Sequence, residues 1–206
     1  MPENTNKDKV SNYSMAFDGV DDKITTGLDC SSSIYPNLTV SYWIKIPLSA
    51  PYFVGGGANV GTSASTFYSS LGAMNGGSKM SYKANGVWIY GTGIKDNLWH
   101  NIVNVYEYDS GTGVMTVNIY LDGNPTPDIS TSSYTPASAL VGPLTIGASV
   151  GGTGNVYPFP GQVDDVAVWG TALTTADVAT IYNSGEPTDL TSLSPVAWYR
   201  MGEEST

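Results

Sequence analysis

Two clusters of aspartates lie far apart in this chain, and both carry the oxygen chemistry that hard divalent cations require. The first is Phe17-Asp18-Gly19-Val20-Asp21-Asp22, and the second is Gly161-Gln162-Val163-Asp164-Asp165-Val166-Ala167-Val168-Trp169. Each puts carboxylates at the mouth of an apolar, strand-like run, beside a glycine turn that exposes carbonyl oxygens. A sandwich that brings its first and penultimate strands together would merge the two into one oxygen-rich metal site.

A second chemistry is suggested by the aromatic residues. Sugar recognition needs aromatic faces for pyranose CH groups and nearby amides or carboxylates for the hydroxyls. In Val87-Trp88-Ile89-Tyr90, the two aromatics alternate with two aliphatics, so Trp88 and Tyr90 share one strand face. Tyr52, Tyr68 and Tyr157 flank glycine-rich segments and are expected to join them. The single histidine, His100, has no serine elbow or cysteine partner to make a triad and is expected to be a packing residue. No glycine cluster is followed by the Lys-Ser/Thr of a phosphate loop.

Bulk properties narrow the classes further. At 206 residues, the chain has the length of one all-β domain. Only 13% of residues are charged, while glycine and tyrosine reach 24 and 14, the composition of strands joined by many tight turns. The net charge is −10 and Arg200 is the only arginine, which argues against nucleic acid and anionic membranes. Cys30 is alone, which excludes an intramolecular disulfide and a cysteine-cluster zinc site; it reads as a small buried hydrophobe. Residues 1–12 are polar and contain neither a signal peptide nor a spanning helix, so they read as a flexible tail.

Short apolar runs bounded by turn residues predict strands at Tyr13–Phe17, Lys23–Thr26, Leu38–Ile46, Pro51–Val54, Thr66–Leu71, Lys79–Tyr82, Val87–Tyr90, Trp99–Tyr108, Val114–Leu121, Leu144–Gly147, Gly161–Trp169 and Val196–Met201. The clearest hairpin joins Trp99–Tyr108 to Val114–Leu121 through Asp109-Ser110-Gly111-Thr112-Gly113. One short surface helix is expected, capped by Thr174 or Thr175, with Val178, Ile181 and Tyr182 on one face and Gly185 ending it. It should cover one edge of the sandwich. The stretches at 55–66 and 130–155 read as long loops. A single domain over residues 13–202, with a polar tail at 203–206, follows.

Taken in order, these pieces resemble a laminin-G-like domain of the concanavalin A-like lectin/glucanase superfamily. The resemblance rests on Phe17–Asp22, Thr39–Lys45, Trp99-His100-Asn101-Ile102-Val103, Ile119-Tyr120-Leu121-Asp122-Gly123, Leu144-Thr145-Ile146-Gly147, and Gly161–Trp169 leading into Ala172-Leu173-Thr174. It implies a jelly-roll sandwich of two antiparallel sheets and a structural calcium ion. The ligands it implies are Asp18, Asp22 and Asp164, followed by Asp21, Asp165 and the Gly19 carbonyl. It also implies that Trp43, Trp99, Trp169 and Trp198 are core residues. Laminarinase-type relatives carry Glu-x-Asp-x-Glu on one strand; the nearest approach here, Glu107-Tyr108-Asp109-Ser110-Gly111, lacks the second glutamate. A non-catalytic module that binds a surface glycan is therefore expected.

The closing Trp198-Tyr199-Arg200-Met201-Gly202-Glu203 resembles laminin-G-like regions in large virion proteins of bacteriophages, where the chain usually continues. That implies a module cut from a longer virion protein, with other virion subunits as partners. A purely structural decoration or spacer domain is the competing expectation, and a glycoside hydrolase the remote one.

Overall fold

The computed structural model describes residues 14–50, 53–54, 58–60, 69–72, 79–84, 87–134, 142–150 and 156–201. The chain begins with β1 (Met15–Asp18), β2 (Ile24–Asp29), β3 (Asn37–Lys45) and β4 (Phe53–Val54). It continues with β5 (Ala58–Val60), β6 (Ser69–Gly72), β7 (Lys79–Ala84) and β8 (Val87–Gly93). The long hairpin is β9 (Trp99–Asp109) and β10 (Val114–Leu121), followed by β11 (Ile129–Tyr134) and β12 (Pro143–Ile146). Next come β13 (Ala148–Val150), β14 (Val156–Pro158) and β15 (Pro160–Trp169). Helix α1 (Thr175–Tyr182) and β16 (Ala197–Tyr199) end the described chain.

One layer is a seven-stranded sheet in the order β1-β15-β3-β9-β10-β11, with β16 also paired to β15. The other layer comes in three pieces, β2-β12-β5, β13-β14 and β4-β6-β7-β8. These abut, since β13 lies against β5 and β12, and β14 against β4. Every pairing among the described residues is antiparallel. The result is an all-β sandwich of the jelly-roll kind with one short helix.

Period-two alternation gives the large sheet two buried faces. On β9, Ile102 and Tyr106 enter the core between the layers, while Val103 and Val105 face a second core beneath α1. The inner core gathers Leu38, Val40, Tyr42 and Ile44 of β3 with Leu144 and Ile146 of β12 and Met80 and Tyr82 of β7. Cys30 is in it, fully buried, and burial pushes its thiol up to about 12, so it stays protonated and unreactive. The outer core packs Val178 and Ile181 of α1 onto Ala167, Trp169, Val103 and Val105.

The helix covers the outer face of the large sheet rather than an edge of the sandwich, because its apolar stripe meets the outward residues of β9 and β15. Thr174 caps it in a reciprocal pair with Asp177, as the sequence suggests, but the left-handed C-cap is Asn183 instead of Gly185. The stretches expected to be loops contain β5, β11 and β13. β5 and β13 are three residues each and β11 is rich in serine and threonine, so they carry little periodic signal and pairing with neighbours decides their conformation.

Strand β1 is short and is anchored by Phe17, whose ring lies over Gly147. Gly147 has φ +80°, and a Cβ there would sit 2.0 Å from Phe17 Cε1. Both the backbone angle and the contact require glycine. Gly147→Ala is therefore expected to destabilise the domain by about 2–3 kcal/mol. A thermal melt should show a loss of roughly 5–10 °C for a domain of this size; an unchanged melt would mean that Phe17 is not held there.

Candidate metal and glycan sites

The opening acidic motif forms a compact exposed cluster. Oxygens of Asp18, Asp21 and Asp22 all lie within 4.8 Å of one another. The turn that gathers them runs through Gly19 at φ +78°. The Asp18 N–H donates to Asp22 Oδ2 at 3.0 Å, and the Val20 N–H donates to Asp18 Oδ1 at 2.7 Å. Each carboxylate keeps an oxygen free of these two bonds, so the donor set fits one side of a calcium shell, whose oxygens sit about 2.3–2.6 Å from the ion.

The closing motif does not join it. Asp18 pairs with Pro160, while Asp164 lies four residues further along β15, opposite Trp43. At about 3.3 Å per residue, that is roughly 13 Å along the strand. One ion cannot be shared across such a gap. Asp164 and Asp165 are only 5% and 3% exposed. They form a bulge: three steps on β15, from Asp164 to Ala167, match two on β3, from Trp43 to Ser41. Asp165 adopts φ +50°, its N–H donates to Asp164 Oδ1 at 2.7 Å, and its Oδ1 accepts the Trp198 indole N–H at 2.6 Å. The sequence pattern suggests a strand mouth for these carboxylates; the register puts them mid-strand, between the segments of β15 that pair with β1 and with β16.

Of the five aromatics expected at a sugar site, the structure describes two side chains. Tyr90 is exposed on β8, while Ile89 packs against the inner core, as the alternation predicts. Trp88, two positions earlier, pairs with Lys83 of β7. Tyr157 is half-buried on β14, opposite Ser149. Three more strands lie between β14 and β8, so Tyr157 and Tyr90 stand roughly 19 Å apart. They do not form one contact surface. Tyr52 and Tyr68 lie outside the described residues.

Beside Tyr90 the structure adds residues that the sequence does not single out. Asp128, just before β11, accepts the Thr92 N–H at 2.7 Å and the Thr92 hydroxyl at 2.6 Å. Gly91 makes the approach possible, since a Cβ there would fall 1.8 Å from Asp128 Oδ2. Tyr90 stands two residues before Thr92 on the same strand, with a register shift of β8 against β7 between Tyr90 and Gly93. Asp128 sits in Pro125-Thr126-Pro127-Asp128, a turn with no local signal of its destination.

The resemblance places Trp99 in the core, but it is 38% exposed, unlike Trp43 and Trp169 at 3% and 2%. It opens β9 before the helix-side cover begins. His100 does not simply pack. Its Nδ1 lies 2.8 Å from Asp122 Oδ2, and its Nε2 lies 3.2 Å from both oxygens of Asp96. Asp122 Oδ1 also accepts the Asn101 N–H at 2.9 Å. The hydrogen bond that His100 donates to Asp122 raises the imidazole pKa against burial, with the Asp122 charge and the hydrogen bond and charge of Asp96 adding to it. Asp109, in the remnant of the glycosidase pattern, is held below the usual carboxylate range by the Thr112 hydroxyl and Gly111 N–H. It shares a shallow groove of about 440 Å³ with Glu107, Asn37 and Thr116.

A family model described as the Concanavalin A-like lectin/glucanases superfamily matches residues 18–179. No curated protein matches the chain. Among solved structures, the fold is similar to a heptameric SAP-like pentraxin from Limulus polyphemus, at 21% identity and TM-score 0.53, over 81% of this chain and 80% of that one. It is also similar to domain 4 of AbnA, a GH43 extracellular arabinanase from Geobacillus stearothermophilus solved with arabinotriose. There the identity is 17% and the TM-score 0.55, over 82% and 76% of the two chains. A candidate carbohydrate binding protein from Bacteroides ovatus aligns at 19% identity and TM-score 0.58, over 93% of this chain and 54% of its own.

His100 supplies a pH test. Its folded pKa is raised above the ordinary 6.5, so its stabilisation is complete below that value and is lost as pH rises through the folded pKa. Urea unfolding from about pH 5.5 to 8.5 should show the wild type losing stability across this window relative to His100→Gln. A constant difference between the two would place no charge on the imidazole.

The match over most of its length establishes that this chain belongs to the concanavalin A-like lectin/glucanase superfamily as a laminin-G-like domain.

Proposed function

We propose that this chain is a non-catalytic glycan-binding, adhesion-type module, displayed on a virion or another extracellular assembly and steadied by a calcium ion. The observation that carries the reading is Tyr90, an exposed ring on a domain of a lectin-type superfamily, with the Thr92–Asp128 pair two residues along the same strand. The ring offers a face to sugar CH groups, and the hydroxyl and carboxylate reach sugar hydroxyls. The sugar-bound arabinanase domain and the Bacteroides ovatus protein share this fold, which supports the reading.

The non-catalytic part rests on carboxylate chemistry. A glycosidase acid needs a raised pKa and a partner carboxyl roughly 5–9 Å away. Asp109 has the opposite shift, and its oxygens are engaged in the hairpin turn. Calcium would be held by Asp18, Asp21, Asp22 and the Gly19 carbonyl, and would supply charge neutralisation at the end of β1. The virion setting rests on the resemblance of residues 198–203. Weak single-site binding, strengthened by display in many copies, suits such a setting.

A glycan array probed with the multimerised domain in calcium, then in EDTA, tests the proposal. Hits are expected, and Tyr90→Ala should weaken them at least about tenfold, or about 1.4 kcal/mol. No hits at high valency would sink the glycan reading in favour of a structural spacer. Turnover of any arrayed polysaccharide would sink the non-catalytic one.

A further inference from the structure

A row of side chains crosses the outer face of the large sheet at the end away from the β9–β10 turn. Ala16 pairs with Gln162, Gln162 with Lys45, and Lys45 with Trp99. Directly opposed residues put their side chains on the same face, so all four stand together. Four strands at about 4.8 Å spacing make the row roughly 14 Å long, enough for a short oligosaccharide. Ala16, Gln162 and Lys45 line a groove of about 390 Å³ whose walls also include Asp18, Pro47, Asn97 and Pro160, and Trp99 stands one strand beyond Lys45, outside it.

The groove has the mixed chemistry of a sugar site. Phe17, Pro47, Ala50 and Pro160 supply apolar walls, while Asp18, Lys45, Asn97 and Gln162 supply acceptors and donors. The Gln162 amide nitrogen donates to Ser14 Oγ at 3.0 Å, which fixes how that amide is turned. Trp99 adds an exposed indole at the end of the row, flanked by exposed Leu98. None of this overlaps Tyr90, which lies in the other layer.

Charge selects among sugars. Lys45 lines the groove, and the Lys95 ammonium donates to the Ala50 carbonyl in its wall. Against these two cations, Asp18, Asp21 and Asp22 crowd one end, where a bound calcium would offset two of their three charges, and Asp96 lies on His100 beside Trp99 at the other. The whole chain carries −10. Uronates and sulfated glycans would be repelled on approach, whereas a neutral polyol meets no such barrier.

We infer that this end groove, together with the Trp99 indole beyond Lys45, is a binding site for a neutral oligosaccharide, stacked on Trp99 and hydrogen-bonded by Gln162, Lys45 and Asn97. The inference rests on the glycan-binding reading and adds a site and a ligand class to it. Trp99 provides the stacking face and Gln162 a pre-set amide. Lys45 donates to ring or hydroxyl oxygens, and the Asn97 amide oxygen accepts from hydroxyls.

The test is a titration of the ¹⁵N-labelled domain followed by NMR. Probes are cellotriose, laminaritriose, maltotriose and arabinotriose, their parent polysaccharides, and an alginate trimer. A neutral probe is expected to shift the Trp99 indole N–H and the Gln162 side-chain amide, with little change from about 50 to 300 mM salt. Trp99→Ala and, independently, Gln162→Ala should each weaken that binding at least about fivefold. Shifts at Tyr90 without shifts at Trp99 would overturn this site and leave the glycan reading standing. Tighter binding of the alginate trimer would overturn the ligand class. No shifts with any probe would overturn both readings.

Discussion

The structure depends most on one extra residue in β15. That strand has β3 along one edge; the other is divided between β1, which pairs with Pro160–Val163, and β16, which pairs with Val166–Val168. The first and last strands thus meet end to end, and the bulge at Asp164–Asp165 fills the gap. Without it, strict alternation from Val163 would send Asp165, Ala167 and Trp169 inward and turn Val166 and Val168 out. With it, Val163, Val166 and Val168 all enter the inner core, while Ala167 and Trp169 face α1. Both cores need that change of phase. The carboxylates serve the fold here, with Asp165 held against the Trp198 indole.

Layered on this are ties that hold the outer cover in place. Tyr182, at the end of α1, stacks on Trp43 with centroids 5.8 Å apart and planes 18° from parallel. Thr39 on β3 accepts the Leu173 N–H and donates to the Thr171 carbonyl, fixing the chain as it leaves β15 for the helix. The cover stops short of Lys45 and Trp99, which leaves the end of the same face to solvent. The acidic turn, the end groove and the exposed Trp99 are therefore consequences of where β1 and the helix end.

The sandwich is legible in the sequence because its long strands declare themselves. Leu38–Ile46, Trp99–Tyr108, Val114–Leu121 and Gly161–Trp169 are apolar, periodic and bounded by turns, and they form the centre of the large sheet. The second layer is less legible: β5, β13 and β14 are three residues each, too short for period two to register. The site is legible in part. Asp18, Asp21 and Asp22 are neighbours in sequence and so also in space, and Tyr90 follows from alternation. Asp164 is misplaced by sequence reasoning because a bulge leaves no signature beyond the paired aspartates themselves. Trp99 resembles the other tryptophans in pattern; its position at the very start of a strand, after Leu98, is the clue to its exposure. Asp128 reaches Thr92 only through tertiary approach over Gly91.

On the proposed function, the two acidic motifs have separate jobs, ion binding at Asp18–Asp22 and strand phasing at Asp164–Asp165. Thermal unfolding with and without calcium, in wild type, Asp22→Asn and Asp165→Asn, tests that division directly. Calcium at about a hundred times its dissociation constant should stabilise the wild type by about 2.7 kcal/mol. Asp22→Asn should abolish that increment while changing the calcium-free melt little. Asp165→Asn should lower the melt in both conditions and keep the increment. An increment that survives Asp22→Asn and vanishes in Asp165→Asn would contradict the division.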